Sequence, residues 1–237
     1  MQNQISLPSA KRVAGFFLAV VILLLTISML GQISAHVFDH PKLKGLVPAF
    51  YVDLESNIPT WYSSFALAVA ALLLLIIAAV KIQRTEPYRF HWLALSALFL
   101  LLSADEIAML HEYPIDPMRE YFKMGGALYY PWVIPGSLFV VAMFTFFIRF
   151  VLQLPRATML LFFAAGGVFV GGAIGIEMIS ATIADASGEN NLAYACIVTL
   201  EEACEMFGVV IFIYALCDYI EREIGTLSFI TNHQATA

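Results

Sequence analysis

The chain has 237 residues, of which 61% are hydrophobic, with a formal net charge of −6 and a mean hydropathy of +0.83. This apolar share is far above that of a soluble globular domain, and several apolar runs reach the roughly 20 residues that cross a bilayer. The composition excludes a soluble fold, and the lack of a basic tract argues against nucleic acid as a partner. We therefore expect membrane lipids as the main surroundings of the chain.

Six apolar segments predict six transmembrane helices, near residues 13–34, 61–82, 91–112, 130–152, 157–182 and 196–219. The first run is longer than the apolar core of a signal peptide, so we expect it to remain as an uncleaved span. The predicted fold is an all-α, polytopic six-helix bundle formed by residues 1–224. Residues 225–237 are expected to form a flexible cytoplasmic tail.

The longest predicted loop, residues 35–60, joins the first two spans on the outer side. It is placed to cover a site as a lid or to add a ligand. Its titratable candidates are His36, Asp39, His40, Asp53 and Glu55.

Lysine and arginine residues predict the orientation. Eight of them fall on the side of the bundle that contains both termini, and four fall on the other side. Cytoplasmic loops are enriched in these residues. We therefore expect both termini in the cytoplasm (N-in/C-in), in a multi-pass protein of the plasma (inner) membrane.

Acidic residues interrupt three of the predicted spans. They are Asp105, Glu106 and Glu112 in the third, Glu177 in the fifth, and Glu201, Glu202 and Glu205 in the sixth. Because the third and fifth spans run outward and the sixth runs inward, all seven acids are predicted at one depth, facing the periplasm. A charge in hydrocarbon costs about 2.5–3.5 kcal/mol even on the lenient insertion scale, so something must compensate these groups.

The compensation could be a metal ion, protonation of the acids, or a wet cavity, because the third, fifth and sixth spans contain neither Lys nor Arg. Oxygen-rich sites with one imidazole suit iron, manganese or zinc. Glu202 and Glu205 have the i, i+3 spacing found in dinuclear carboxylate bundles, although the Glu-x-x-His pair of ferritin-like proteins is absent. The predicted metal ligands are Asp105, Glu106, His111, Glu112, Glu177, Glu201, Glu202 and Glu205.

The leading hypothesis is a metal-dependent membrane enzyme, a hydrolase or an oxidoreductase, that acts on a lipid or another apolar substrate. His111 and Glu106 are its candidate catalytic residues. One alternative is a cation or proton transporter or channel that uses the same carboxylates. It is disfavoured because the inner halves of the third and fifth spans are nearly apolar. A third interpretation is an accessory subunit of a membrane complex.

Two further patterns concern packing. Gly167, Gly171 and Gly175 repeat every fourth residue, a pattern that lets helices approach closely. By helical geometry, Glu177 then points away from this stripe, toward a polar interior. The three cysteines, Cys196, Cys204 and Cys217, fall on one predicted helix and are too far apart to bridge, so we expect free thiols.

Three stretches carry a resemblance to known proteins: LSADEIAMLHE (102–112), TLEEACEMFGVVIFIYAL (199–216) and NIPTWYSS (57–64). They resemble an uncharacterised family of bacterial multi-pass membrane proteins, which implies no activity. The chain is only weakly similar to membrane hydrolases of the alkaline ceramidase type, which have seven spans and a zinc site with three histidines, a serine and an aspartate. Ser103 and Asp105 match part of that site, but the three histidines are missing.

Overall fold

In a computed structural model, which describes residues 3–5, 9–225 and 227–229, the fold is helical apart from one short pair of strands. The helices are α1 (Ala10–Val37), α2 (Leu46–Phe50), α3 (Ile58–Gln83), α4 (Arg89–Ala108), α5 (Ile115–Phe122), α6 (Val133–Val151), α7 (Arg156–Val170), α8 (Glu177–Ser187) and α9 (Leu192–Tyr219). A π-helical segment, Gly171–Ile176, joins α7 to α8 without a break, and a second one, Ile220–Ile224, extends α9. Short 3-10 turns occupy Leu43–Gly45 and Gly126–Leu128.

The strands lie at the two ends of the chain. β1 (Asn3–Ile5) pairs antiparallel with β2 (Leu227–Phe229), and Asn3 lies opposite Phe229. β2 falls within the predicted flexible tail. The rest of that tail beyond Phe229 lies outside the described residues.

Within the described residues, five helical stretches are long and apolar enough to cross a membrane. They are α1, α3, α4, α6 and the continuous stretch Arg156–Ser187. Large apolar side chains on these helices are exposed, for example Phe16, Leu72, Leu101 and Leu138. Together, these features support an integral membrane protein.

Asparagine side chains cap the N-termini of α3 and α9. Asn57 accepts a hydrogen bond from the backbone N–H of Thr60 at 3.2 Å, and Asn191 accepts one from that of Tyr194 at 2.9 Å. Such caps satisfy backbone donors that a helix N-terminus leaves unpaired. Both helices therefore begin a few residues before their predicted boundaries.

The third predicted span ends earlier than its sequence suggests. Met109 takes a left-handed conformation, with φ of 53°, and its N–H donates to the carbonyl of Asp105, which ends α4 at Ala108. His111 and Glu112 therefore lie in the turn beyond the helix. Asp105 and Glu112 are seven residues apart, so the sequence predicts that they share one face of a continuous helix. That prediction is wrong, because α4 ends between them.

The most buried helix is α9, which packs against α1, α3 and α7. The side chains of Val21, Leu74, Ile77, Ile213 and Leu216 are almost completely buried where these helices meet. Because neighbouring helices cover α9, its acidic residues face protein or an internal space rather than lipid. The cysteines of this helix are free, as the sequence predicts.

The predicted glycine stripe does not make the close helix contact. A Cβ added to Gly167, Gly171 or Gly175 would meet no other atom within 4 Å, whereas one added to Gly172 would lie 2.8 Å from the carbonyl oxygen of Glu201. The π-helical segment beginning at Gly171 changes the number of residues per turn. A pattern read at the α-helical period therefore selects the wrong glycines.

Candidate functional site, a cavity with one acidic and one apolar end

A cavity of about 920 Å³ lies between α4, α6, α7, α8 and α9. Its lining changes from apolar to polar along each helix. On α4, Leu95 and Phe99 come before Asp105, whereas on α9 Glu201 comes before Phe212. Because α4 and α9 run in opposite directions, their polar ends meet at the same end of the cavity.

We call the polar end of this cavity the carboxylate chamber. Its walls carry eleven carboxylates: Asp53, Glu55, Asp105, Glu106, Glu112, Asp116, Glu177, Glu189, Glu201, Glu202 and Glu205. Within the described part of the chain, the basic side chains on the wall are Arg119 and His111. All eight residues that the sequence analysis selected as metal ligands line the cavity.

We call the other end the apolar chamber. Its walls include Leu95, Leu98, Phe99, Met143, Phe147, Phe162, Val209 and Phe212. The rings of Phe99 and Phe212 stack with centroids 4.4 Å apart, and Phe162 lies 4.8 Å from Phe212. Pockets of about 300–1,000 Å³ with mostly apolar walls are typical of small-molecule sites.

Asp105 and His111 form a hydrogen-bonded pair at the end of α4. His111 Nδ1 lies 2.9 Å from Asp105 Oδ2, and the backbone N–H of His111 donates to Asp105 Oδ1 at 3.1 Å. Burial by itself would lower the pKa of His111, but the hydrogen bond and the charge of Asp105 outweigh it and raise that pKa. The pair therefore favours the protonated form of the His111 imidazole.

Two deep carboxylates accept hydrogen bonds from neutral donors. The indole N–H of Trp132 donates to Glu177 at 2.6 Å, and the hydroxyl of Ser180 donates to Glu201 at 2.9 Å. Glu177 and Glu201 are each only 8% exposed. These donors fix the directions of the carboxylates but supply no positive charge.

A tyrosine network lies on the wall of the carboxylate chamber. Tyr194 donates to Asp53 at 3.0 Å, Tyr130 donates to Glu189 at 2.7 Å, and the two tyrosine oxygens lie 3.1 Å apart. Burial raises the pKa of Asp53 to about 6, although the hydrogen bond from Tyr194 acts in the opposite direction. The network ties the loop after α2 to α9, to the α8–α9 turn and to the loop before α6.

A small side pocket of about 10 Å³ adjoins the chamber, and Ser63, Glu106, Glu202 and Glu205 contribute to its walls. This volume is close to the minimum for one water molecule. Among the residues that the structure describes, no three His, Cys, Asp or Glu side chains are arranged to hold a metal ion. The geometry does not support the eight predicted ligands as one metal centre, because they are spread over α4, the turn after it, α8 and α9.

Sequence reasoning missed several wall residues. Tyr130 and Trp132 have the position of ordinary interfacial aromatics, and only the fold shows that they contact Glu189 and Glu177. Tyr194 carried no signal beyond its place in the first turn of α9.

The predicted lid contributes only part of its candidate residues to the cavity. Asp53 and Glu55 line its wall, whereas His36, Asp39 and His40 are not among the lining residues. Val52, next to Asp53, is buried, and its N–H donates to Ser28 Oγ at 3.2 Å. This contact anchors the loop beside the chamber.

Comparison with known proteins gives a family without an assigned activity. The family described as Domain of unknown function (DUF8692) matches residues 13–219. No curated protein and no solved structure matches the chain. The matched region contains every carboxylate of the chamber.

Proposed function

This chain belongs to the DUF8692 family, and from the geometry of its cavity we propose that it is a metal-dependent membrane enzyme acting on a lipid or another amphiphilic substrate. The apolar part of the substrate occupies the apolar chamber. Its polar group lies in the carboxylate chamber, where the reaction takes place. The continuity of the two chambers in one cavity is the observation that carries the proposal.

The carboxylates supply the proposed cation site. Glu106, Glu202 and Glu205 contribute to the walls of the small side pocket. Their side chains would have to turn toward one another to hold a divalent ion, which would relieve the repulsion between Glu202 and Glu205 one turn apart. Iron, manganese and zinc are the ions predicted from the sequence, and a set of carboxylates alone favours manganese among them. A bound ion of this kind activates water or oxygen.

The Asp105–His111 pair is the proposed proton carrier. Asp105 orients the imidazole through Nδ1, which leaves Nε2 for exchange with the substrate. The ring of Trp132 lies edge-on to the imidazole, with centroids 5.1 Å apart, and limits its rotation. His111 keeps its predicted catalytic role within this proposal, whereas Glu106 serves as a ligand of the cation.

Metal content provides the direct test of the cation site. Elemental mass spectrometry on purified protein should find stoichiometric iron, manganese or zinc, and the E202Q/E205Q variant should lose it. Glu120→Gln, an exposed acid on α5 outside the cavity wall, is the matched control. Folded wild-type protein without metal would refute this part of the proposal.

Filling the apolar chamber provides the test of substrate class. Gly167 lines the cavity, and a Cβ added there would have no neighbouring atom within 4 Å, so we expect Gly167→Leu to occupy cavity space. Native mass spectrometry should find less copurified lipid on this variant than on Gly175→Leu, which has equal room but lies outside the wall. Equal lipid retention by the two variants would contradict a lipid-binding role for the chamber.

We further propose six spans, with α9 as the sixth and both termini in the cytoplasm. The backbone N–H of Ala10 donates to the carboxylate of Glu221, and β1 pairs with β2, which supports an even number of crossings. Cys196 is exposed near the start of α9. A membrane-impermeant maleimide should label it in intact spheroplasts and fail to label Cys196→Ser, whereas labelling only after permeabilisation would reverse the orientation.

A cation or proton pathway is the second candidate, favoured by the excess of carboxylates over basic groups on the wall. It would require a polar route past the apolar chamber. Ion flux in proteoliposomes that is abolished by Glu202→Gln would support this candidate over the enzyme.

A further inference from the structure

Resting on the proposed function, we propose that the substrate of this cavity is a cationic amphiphile, with an apolar chain and an amine or ammonium head group. The ligand class follows from the charge balance of the carboxylate chamber, the kind of donors that hold its acids, and the shape of the cavity.

The chamber holds more carboxyl groups than the basic residues of its own wall can pair with. Arg119 forms an ion pair with Asp116 and stacks on the ring of Tyr129 at 4.3 Å, and His111 is engaged with Asp105. Nine of the eleven wall carboxylates remain once these two pairs are set aside. A single divalent ion at the side pocket would still leave an excess of acids.

Neutral groups hold several of these remaining acids in place. Glu55 accepts a hydrogen bond from the hydroxyl of Thr60 at 3.2 Å, just as other acids accept from the tyrosines, Trp132 and Ser180. A hydroxyl or indole donor directs a carboxylate without cancelling its charge. The arrangement thus keeps the acids oriented, and a positively charged head group beside them would favour their ionised form.

Ligand shape separates an organic cation from a free metal ion. A metal ion does not need an apolar chamber, whereas an alkyl or acyl chain makes no favourable contact with eleven carboxylates. An amphiphile with a positive head group uses both ends of the cavity. Trp132, Tyr130 and Tyr194 add aromatic rings to the same wall, and aromatic faces attract ammonium groups.

Four probes that share a twelve-carbon chain test this inference: dodecylamine, dodecyltrimethylammonium, dodecanol and dodecanoate. We would measure their binding to the full chain by native mass spectrometry from a neutral maltoside detergent. The two cationic probes should bind about tenfold more tightly than dodecanol, and dodecanoate should bind least. The preference should weaken as salt concentration rises.

Variants locate the source of the preference. In E177Q/E201Q the new carbonyls can still accept from Trp132 and Ser180, so the fold should be retained while most of the tenfold advantage is lost. Glu120→Gln, outside the cavity, should keep the full advantage. An unchanged advantage in E177Q/E201Q would overturn the inference.

The remaining outcomes separate this inference from the proposed function. Equal binding of all four probes, reduced by Gly167→Leu, would overturn the cationic head group and leave the apolar substrate in place. Absence of binding by any probe would overturn both. Tight binding of dodecanoate would also overturn the inference, since it would mean that the chamber acids are neutral or compensated.

Discussion

The two polar ends of this helical bundle handle charge in opposite ways. At one end, acids are paired with bases: Lys81 with Glu86, and Arg222 with Asp218 at 2.8 Å. Arg84 adds a longer contact to Glu86 at 3.8 Å. At the other end, the carboxylate chamber gathers eleven acids around two basic residues that are already engaged.

We interpret this difference as a division between ion pairs that stabilise the fold and acids that, on our proposal, bind a ligand. Lys81, which is 8% exposed, also lies 5.5 Å above the ring of Tyr219 and thereby ties the α3–α4 connection to the end of α9. Within the described residues, nine of the eleven chamber acids form no ion pair with a base. Functional sites commonly retain groups that do not favour the stability of the fold. Four variants test this division between the two ends.

Removing Lys81 should give the largest loss of stability. Lys81→Met leaves the partly buried Glu86 without its main partner, and breaking such a pair costs about 3 kcal/mol. Thermal and SDS-induced unfolding of the purified protein would measure the loss. Lys81→Arg keeps the charge and should recover most of it. Wild-type stability in Lys81→Met would show that the paired end is no more structural than the chamber.

Adding a methyl group where the π-helical segment contacts α9 should give the second-largest loss of stability. A Cβ at Gly172 would lie 2.8 Å from the carbonyl of Glu201 and 2.9 Å from Cys204 Cβ, so Gly172→Ala should cost about 2 kcal/mol. Gly171→Ala has open space and should be neutral or slightly stabilising. Equal unfolding midpoints for the two variants would refute the assigned contact. A loss of amphiphile binding in Gly172→Ala alone would link this contact to the chamber.

Neutralising the deep chamber acids should stabilise the protein. A bound ion would itself stabilise the wild type, so the two proteins are compared after chelation of metal. In that state E202Q/E205Q removes two neighbouring carboxyl groups that lack a basic partner, and we expect a gain of about 1–2 kcal/mol in unfolding free energy. Metal or amphiphile binding should fall at the same time. Glu86→Gln at the paired end should change stability in the opposite direction. A destabilised E202Q/E205Q variant would show that these acids support the fold.

The dependence of stability on pH that Asp53 contributes should be the smallest of the four effects. Burial raises the pKa of Asp53 from 3.8 to about 6, so the folded protein binds this proton more tightly than the unfolded chain. The contribution of Asp53 to stability should therefore decrease as pH rises from about 4 to about 6, by about 1 kcal/mol after allowance for its partial exposure.

Asp53→Asn should remove that slope, because asparagine does not titrate and can still accept from Tyr194. Asp39→Asn, an exposed position in the same connection between α1 and α3, is the control and should keep the slope. Unfolding midpoints measured across this pH range would check both. An identical slope in Asp53→Asn would mean that Asp53 is not buried in the folded protein.

The sequence by itself determined that the chain has membrane character. It also determined at which end of each helix the acids lie. Apolar runs of spanning length are a local property, and helix direction alternates from one span to the next. Asp105, Glu177 and Glu201 could therefore be assigned to one level before any contact was known, and all three line the cavity.

Only the tertiary structure decided which neighbours those acids have. Helical periodicity places Asp105 and Glu112 on one face, but a left-handed residue at Met109 ends the helix between them. The same periodicity selects Gly171, whereas the π-helical segment turns Gly172 toward α9. The apolar chamber, the tyrosine network and the indole donor to Glu177 arise where separate helices meet. Such contacts depend on packing between distant segments, which spacing along one helix does not encode.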